Sequence, residues 1–253
     1  MIRIGVFGAG GRVGATVCAA VMADPALELV AAIDPAHAGE SADGVEIVAD
    51  PAAIDVPVDV VIDFTHVDAA RTNLLWAAEQ GVHAVVGTTG FDFDDHERFR
   101  KAFAHSNCII APNFAIGAVL MMSFAEKAAP YFETAEIVEM HHDMKRDAPS
   151  GTAMLTAERM AAASGEWAPD PTEQVVVAGS RGGEGPGGIH MHALRVRGMV
   201  ASQEVILGTT GQALTIRHDT YDRSAFMPGV LLAVKAIGDR PGLTIGLDQL
   251  LDL

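Results

Sequence analysis

The sequence predicts a protein of the α/β class, with a doubly wound parallel sheet and a second α+β domain that carries a mainly antiparallel sheet. Strand-like and helix-like segments alternate from residue 2 to residue 110, as in βαβ units. Between residues 174 and 218, strand-like segments instead follow one another, which is typical of an antiparallel sheet. A run of glycines lies between the first strand and the first helix, where open α/β sheets bind ligands.

The first domain consists of βαβ units. Strands are expected at residues 2–7, 27–33, 58–64, 83–86 and 108–110, and helices at 12–23, 67–80 and 94–104. The strands are short runs rich in β-branched residues, and turn-forming residues separate them from the helices. Parallel strands have right-handed crossovers, and ligands are expected beyond the carboxyl ends of the strands.

The second part of the chain is a run of strands between helices. Helices are expected at 115–129, 150–163 and 224–237, and strands at 136–140, 174–178, 189–196, 199–207 and 213–218. The tail 240–253 is expected to complete the first domain, which then comprises 1–111 and 217–253, with 112–216 as the second domain. The glycine-rich segment 179–188 is either a mobile lid or a hairpin excursion without a role.

Composition excludes several classes of function. The 253 residues carry a net charge of −16, so binding to nucleic acid, itself a polyanion, is not expected. The two cysteines, Cys18 and Cys108, form no CxxC pair and suggest buried thiols in a reducing compartment. No apolar run approaches the length of a membrane span, and the first residues read as a strand rather than a signal peptide. We therefore expect a cytoplasmic protein without a membrane partner.

The glycine turn after the first strand predicts a dinucleotide site. Gly8, Gly11 and Gly14 have the spacing G-x-x-G-x-x-G, although the strict G-x-G-x-x-G pattern fails at Val13. Such a turn lets the backbone approach a pyrophosphate at the helix N-terminus. Asp34 ends the second strand at the distance where an acid binds ribose hydroxyls. A glycine-rich turn in an unrelated α/β sheet is the alternative. The Rossmann-type reading assigns cofactor binding to Gly8, Ala9, Gly10, Gly11, Arg12, Val13 and Asp34.

Asp34 also bears on which nicotinamide cofactor is used. A carboxylate at this place repels the 2′-phosphate of NADPH, and Pro35 rather than an arginine follows it. Arg12 would partly offset that repulsion. We expect NADH to be used and NADPH to be accepted as well.

Cationic residues gather ahead of a helix start, against the acidic trend of the chain. His141, His142, Lys145 and Arg146 lie within six residues. Ser150 is placed to cap the helix that follows, and the backbone N–H groups of its first turn, at Gly151 and Thr152, can then bind a carboxylate. The run thus combines an anion site with groups that donate a proton near neutral pH.

A metal site and a solvated polar loop are the two alternatives to a catalytic role for this run. The spacing of His141, His142 and Lys145 is not that of a metal site such as H-E-x-x-H, and no cysteine or third histidine lies near, so no metal is expected. A solvated polar loop in front of a well-capped helix is the other alternative.

Four segments share the pattern of one known family: residues 8–14, Gly87-Thr88-Thr89-Gly90, Ala111-Pro112-Asn113-Phe114, and the run from Glu139 through His141, His142 and Lys145 to Ser150-Gly151-Thr152. Together these segments resemble the dihydrodipicolinate reductase (4-hydroxy-tetrahydrodipicolinate reductase) family of bacterial lysine and diaminopimelate synthesis. The resemblance extends over essentially the whole chain, and its most specific part is the His141–Lys145 run with the helix start that follows.

The resemblance implies roles for individual residues. His141 would be the catalytic histidine and Lys145 the proton donor, while His142 and the helix start at Gly151 and Thr152 would hold substrate carboxylates. The second domain would bind substrate and form a homotetramer, and the domains would close on the substrate. The residues implied to line the nicotinamide side are Gly87, Thr88, Thr89, Ala111, Pro112, Asn113 and Phe114.

The implied substrate is a small cyclic imine dicarboxylate. Hydride reaches ring C4 from the nicotinamide, negative charge builds toward the ring nitrogen, and a proton arrives from the region of Lys145 and His141. Positive charge placed there stabilises the transition state. Water is lost from the 4-hydroxy form either on or off the enzyme.

The residues alone leave two other functions open. A nucleotide-sensing module would bind NAD(P) without turnover, and it would leave the cluster of His141 and Lys145 without a role. Another small-substrate oxidoreductase, such as an amino-acid dehydrogenase, would not require paired histidines ahead of the helix start at Ser150.

Overall fold

The computed structural model describes residues 1–165, 167–251 and 253. Within them the chain divides into two compact units. The first comprises Met1–Ile116 and Arg223–Leu253, and the second comprises Gly117–Asp222.

The first unit is built on an eight-stranded sheet flanked by helices. Its strands are β1 (Ile2–Phe7), β2 (Leu27–Ile33), β3 (Ser41–Ala42), β4 (Val45–Val48), β5 (Val60–Asp63), β6 (His83–Val86), β7 (Cys108–Ile110) and β13 (Leu243–Ile245). Its helices are α1 (Arg12–Ala23), α2 (Val67–Glu79), α3 (Phe93–Ala102) and α6 (Met227–Ala236). The strand order is β13-β7-β6-β5-β1-β2-β4-β3, and all neighbours are parallel except β3 and β4. The predicted doubly wound parallel sheet is confirmed.

Because both faces of the sheet are buried, the central strands are continuous apolar runs in the sequence. All four residues of β5 are buried, and helices cover the sheet. Phe7 at the end of β1 packs edge-to-face against Trp76 of α2, with ring centroids 5.8 Å apart. Asp92 caps α3 in a reciprocal capping box with Asp95. These contacts fix the carboxyl ends of the strands, where the candidate nucleotide site lies.

The second unit consists of a five-stranded sheet and two helices. The elements are α4 (Ile116–Ala128), which begins at the end of the first unit, α5 (Gly151–Ala163), β8 (Thr134–His141), β9 (Gly183–Glu184), β10 (His190–Arg195), β11 (Ala201–Thr209) and β12 (Gln212–Thr220). The strand order is β12-β11-β8-β10-β9. Only the pair β8–β10 is parallel, so the predicted mainly antiparallel sheet is confirmed.

The structure adds detail to the sequence prediction at three segments and contradicts it at one of them. The strand expected at 174–178 does not form, and Val176 is 90% exposed. A β-branched run does not make a strand where no neighbouring strand pairs with it. The glycine-rich segment contains the short strand β9, which pairs with β10. In the tail, β13 pairs with β7 of the first sheet.

None of the helices described here is long and apolar enough to cross a bilayer.

Candidate active site

Glycine is required by sterics at two positions of the first turn. Gly8 has a φ of +78°, and a Cβ there would lie 2.7 Å from the carbonyl oxygen of Phe64. A Cβ at Gly14 would lie 1.9 Å from the carbonyl oxygen of Gly8. The turn is therefore a cradle that side chains would fill, which fits a pyrophosphate bound through backbone N–H groups.

Asp34 shares a cavity of about 370 Å³ with this turn. Its Oδ2 accepts a hydrogen bond from the backbone N–H of Gly10 (3.2 Å), and its Oδ1 accepts one from Ala36 (3.0 Å). His37 Nδ1 lies 3.2 Å from Asp34 Oδ2, and a Cβ at Gly10 would touch the His37 ring. Sequence reasoning missed His37, because no spacing rule marks a histidine three residues after the ribose acid.

The other residues predicted around the first turn differ in exposure. Ala9 is buried, Gly11 and Val13 are half-buried, and Arg12 is exposed at the start of α1. The Gly11 N–H donates to the carbonyl oxygen of Gly8 at 3.0 Å. An exposed Arg12 is available to an anion near the turn.

A buried carboxylate holds the segment Gly87, Thr88, Thr89 in place. Asp63 is fully buried at the end of β5, and its Oδ1 accepts from the Thr88 hydroxyl (2.7 Å) and the Thr65 hydroxyl (2.8 Å). Its Oδ2 accepts from the Asn73 amide (2.8 Å). Sequence reasoning gave Asp63 no role, although its position at the carboxyl end of a strand was a usable signal.

Phe64 joins the two segments predicted to line the nicotinamide side. A Cβ at Gly87 would lie 2.0 Å from the Phe64 ring, and the rings of Phe64 and Phe114 are 5.8 Å apart. Asn113 Oδ1 accepts from the Ala115 N–H at 2.8 Å, which shapes the turn after β7. In these two segments Ala111, Thr88 and Phe114 are buried, Gly87 and Asn113 are half-buried, and Thr89 and Pro112 are exposed.

In the second unit, one carboxylate joins the predicted catalytic histidine to the predicted anion site. Glu139 is fully buried on β8, and its Oε2 lies 2.5 Å from His141 Nδ1. Its Oε1 accepts from the backbone N–H of Ser150 at 3.2 Å. Arg195 of β10 donates to both oxygens, each at 2.9 Å. Sequence reasoning missed the roles of Glu139 and Arg195; alternation along a strand places Glu139 on the same face as His141.

Burial and charge together set the protonation states of this pair. Burial lowers the pKa of His141 below its ordinary value, against the opposing effect of the neighbouring Glu139. Burial also disfavours ionisation of Glu139, but hydrogen bonds from Arg195 and His141 outweigh it and hold the pKa of this carboxyl below its usual range. Glu139 is therefore an anion at neutral pH, and His141 is largely the neutral imidazole.

Lys145 is held in the loop that follows β8. Its Nζ lies 2.9 and 2.8 Å from the two carboxylate oxygens of Asp147, and its backbone N–H donates to the His142 carbonyl. Hydrogen bonding to Lys145 lowers the pKa of Asp147. The Asp147 carbonyl accepts from Arg195 at 2.6 Å, so the loop is tied to the same arginine that binds Glu139. His142 is exposed.

The helix start predicted at Ser150 is present. Ser150 is buried, and its hydroxyl accepts from the backbone N–H of Ala153 at 3.2 Å. Gly151 is exposed and has open space where a side chain would lie, and Thr152 is half-buried. The first turn of α5 can therefore present N–H donors and the positive end of the helix dipole to an anion.

Among the residues that the structure describes, no group of three or more His, Cys, Asp or Glu side chains could hold a metal ion. The chemistry of the site is considered below from its acids, bases and hydrogen-bond donors.

Comparison with known proteins covers the whole chain. The family model "Dihydrodipicolinate reductase, N-terminus" matches residues 2–114, and "Dihydrodipicolinate reductase, C-terminus" matches residues 117–251. The chain is 49% identical to the 4-hydroxy-tetrahydrodipicolinate reductase of Nocardia farcinica (100% of this chain, 99% of the relative). It is 48% identical to that of Cutibacterium acnes (100% of both chains).

Solved structures give the same grouping. A dipicolinate-bound dihydrodipicolinate reductase from Paenisporosarcina sp. TG-14 superposes with a TM-score of 0.89 at 35% identity, covering 98% of this chain and 99% of that one. Aspartate semialdehyde dehydrogenase II from Vibrio cholerae shares only the fold, with a TM-score of 0.59 at 13% identity over 94% of this chain and 99% of that one.

Proposed function

Since this chain belongs to the dihydrodipicolinate reductase family, we propose that it reduces 4-hydroxy-tetrahydrodipicolinate to tetrahydrodipicolinate, with the residue roles given below. The chain is an NAD(P)H-dependent oxidoreductase of lysine and diaminopimelate biosynthesis. The observation that carries the proposed roles is the hydrogen-bonded group of Glu139, His141, Ser150 and Arg195, which brings an acid–base residue beside a helix start.

The first turn of α5 is the proposed carboxylate site. Ser150, Gly151 and Thr152 form this turn, and His142 from the preceding loop adds a donor. A carboxylate bound to N–H groups at a helix N-terminus is stabilised by charge-assisted hydrogen bonds and by the helix dipole. The dipicolinate bound in the Paenisporosarcina structure is a dicarboxylate, which supports this assignment.

His141 and Lys145 are the proposed proton-delivering residues. Lys145 is a cation on a loop whose position Arg195 fixes, and it would stabilise negative charge that develops at the substrate nitrogen before giving up a proton there. His141 is largely neutral near pH 7, so its imidazole can accept or pass on a proton. The pair therefore supplies both positive charge and proton transfer.

The first unit is the proposed cofactor site. The glycine turn (Gly8, Ala9, Gly10, Gly11, Arg12, Val13) would hold the pyrophosphate and Asp34 the adenosine ribose. The segments at Gly87–Thr89 and 111–114, which Asp63 and Phe64 hold in place, would line the nicotinamide. When bound, the nicotinamide supplies the hydride. We propose NADH as the preferred cofactor and NADPH as an accepted one.

We also propose that the chain forms a homotetramer in the cytoplasm. β12 is an edge strand of the second sheet, and most of its residues are exposed, which leaves it available to pair with another copy. Cys18 and Cys108 are buried free thiols, which agrees with a reducing compartment. Sedimentation equilibrium of the full chain tests the tetramer, and a monomer at micromolar concentration would contradict it.

The decisive experiment for the proposed function uses the purified full chain. The condensation product of pyruvate and aspartate semialdehyde is supplied with NADH or with NADPH, and nicotinamide oxidation is followed at 340 nm. We expect saturable oxidation with both cofactors. Binding of NADH without turnover would instead indicate a sensing module.

A further inference from the structure

Glu139 contacts both parts of the site in the second unit although it is fully buried. Its Oε2 is bonded to His141 Nδ1, its Oε1 to the Ser150 N–H, and Arg195 donates to both oxygens. We propose that Glu139, held by Arg195, is a positioning residue that fixes the His141 ring and the start of α5 in one geometry for the reduction. This inference rests on the function proposed above.

The hydrogen-bond donors around residue 139 require a carboxylate at this position. Glu139 has four donor partners, namely the His141 ring N–H, the Ser150 N–H and two N–H groups of Arg195. A carboxylate offers acceptor sites on both oxygens, whereas an amide of the same shape turns an NH₂ group toward two of these donors. Glutamine therefore keeps the volume and loses half of the acceptors.

The contact with Nδ1 determines which nitrogen of His141 is available for chemistry. A carboxylate oxygen accepts from Nδ1–H, so the neutral ring carries its lone pair on Nε2. Glu139 thus orients the imidazole and selects its tautomer. The charged groups that act on His141 are Glu139, Lys145 and Arg195, of which only Glu139 favours the protonated ring.

Arg195 connects this carboxylate to the loop that carries Lys145. Arg195 stands opposite His141 in the parallel register of β10 and β8, and it also donates to the Asp147 carbonyl. The guanidinium of Arg195 compensates the buried negative charge of Glu139, and it also restrains the loop between β8 and α5. One ion pair therefore positions the histidine, the helix start and the lysine loop.

The chain provides a matched control on the opposite face of the same strand. Glu136 is bonded to His192 Nε2 (2.7 Å) and to the Arg181 guanidinium (2.6 Å), a set of partners of the same kind. Neither of these two partners is a proposed site residue. The Glu136 side chain is 30% exposed whereas Glu139 is fully buried, so Glu136→Gln measures what the loss of a Glu–His–Arg group does to the fold where solvent reaches the carboxylate.

The experiment compares Glu139→Gln with Glu136→Gln in the full chain. We expect Glu139→Gln to lower kcat by about 30-fold or more and to weaken pyridine-2,6-dicarboxylate binding about tenfold, with the Kd for NADH changed by less than about twofold. The His141 ionisation in the pH profile of kcat should move to lower pH, because the charge that favours the imidazolium is gone. Glu136→Gln should keep kcat within about twofold.

Equal effects of the two variants on kcat, dicarboxylate binding and the pH profile would overturn the inference. His141→Asn and Lys145→Ala separate it from the proposed function. If these two variants keep wild-type kcat, the proposed roles fail; if they lose activity while Glu139→Gln keeps it, only the inference about Glu139 fails.

A measurement on the wild type keeps the inference testable even if Glu139→Gln does not fold. Nitrogen-15 chemical shifts of the histidine rings report the tautomer, and the His141→Asn variant identifies the resonance of His141. We expect the Nδ1–H form at neutral pH. A His141 ring protonated mainly on Nε2 in the neutral form would contradict a positioning role for Glu139.

Discussion

Lys145 Nζ binds both carboxylate oxygens of Asp147, at 2.9 and 2.8 Å, although Asp147 is largely exposed. An ion pair with an exposed partner is weak, because solvent screens it. A dicarboxylate substrate can therefore replace Asp147 as the ion-pair partner of Lys145 with only a small loss of interaction free energy. The pair holds the lysine in the loop between β8 and α5 and leaves it available for its proposed role.

Replacement of Lys145 by alanine tests its role in proton delivery. We expect kcat to fall by on the order of 100-fold or more, because charge stabilisation and the proton source are lost together. The Kd for NADH, measured by fluorescence titration, should stay within about twofold, since the cofactor is proposed to bind the first unit. Lys101→Ala, which removes a lysine from α3, is the matched control. A Lys145→Ala rate near that of Lys101→Ala would refute the role.

Gly151 offers a selective test of the helix start as an anion site. Proline is tolerated at the first position of a helix but has no N–H, and Ser150 already has the extended backbone that precedes proline (φ −68°, ψ 152°). We expect Gly151→Pro to raise the inhibition constant of pyridine-2,6-dicarboxylate about tenfold, through loss of one charge-assisted hydrogen bond.

Gly151→Ala is the control for that experiment, because a Cβ at Gly151 meets open space and the N–H is kept. Its inhibition constant should remain close to that of the wild type, and circular dichroism should show equal helix content in both variants. Equal inhibition of Gly151→Pro and Gly151→Ala would count against a carboxylate on this N–H.

Asp34 should decide the cofactor preference. Its carboxylate lies beside the glycine turn and would repel a 2′-phosphate. We expect Asp34→Ala to shift the ratio of kcat/KM for NADPH over NADH upward by about tenfold or more. Glu40→Ala, which removes an exposed charge from the same loop, should leave the ratio unchanged. An Asp34→Ala ratio equal to that of Glu40→Ala would exclude Asp34 as the ribose ligand.

Asp59 links the stability of the first unit to pH. Hydrogen bonds from the Arg3 side chain lower the pKa of Asp59 from 3.8 to about 2. The lowered pKa means that folding favours the ionised form of Asp59. Its contribution to the free energy of unfolding is therefore present above pH 4 and is lost as pH falls toward 2. Urea unfolding should show Asp59→Asn less stable by about 1 kcal/mol near neutral pH, with the difference shrinking below pH 4 and disappearing only as pH falls to about 2.

The exposed Asp55→Asn serves as the control for that series, since it removes a charge four residues away. Its stability should follow the wild type across the whole pH range. A pH-independent difference between Asp59→Asn and the wild type would mean that the carboxylate charge is not what stabilises the fold.

Local patterns in the sequence were enough to predict much of the fold and some of the local structure around the candidate site. The alternation of strands and helices, the glycine turn followed by Asp34, and the cap at Ser150 each depend on neighbouring residues. The backbone sterics at Gly8 and the periodicity of strands and helices depend only on residues that are close together in the sequence. The expected strand at 174–178 failed for the converse reason, because β-propensity without a pairing partner does not make a strand.

The sequence by itself determined which residues could donate protons, bind an anion or approach a phosphate. Tertiary structure decided which of them lie together. Glu139 and Arg195 are 56 positions apart, and they meet because β8 and β10 pair in parallel with His141 opposite Arg195. Asp63 and Thr88 meet in the same way through neighbouring strands. Strand order and register depend on the packing of the whole sheet, so a buried carboxylate that positions the site was visible only once the chain had folded.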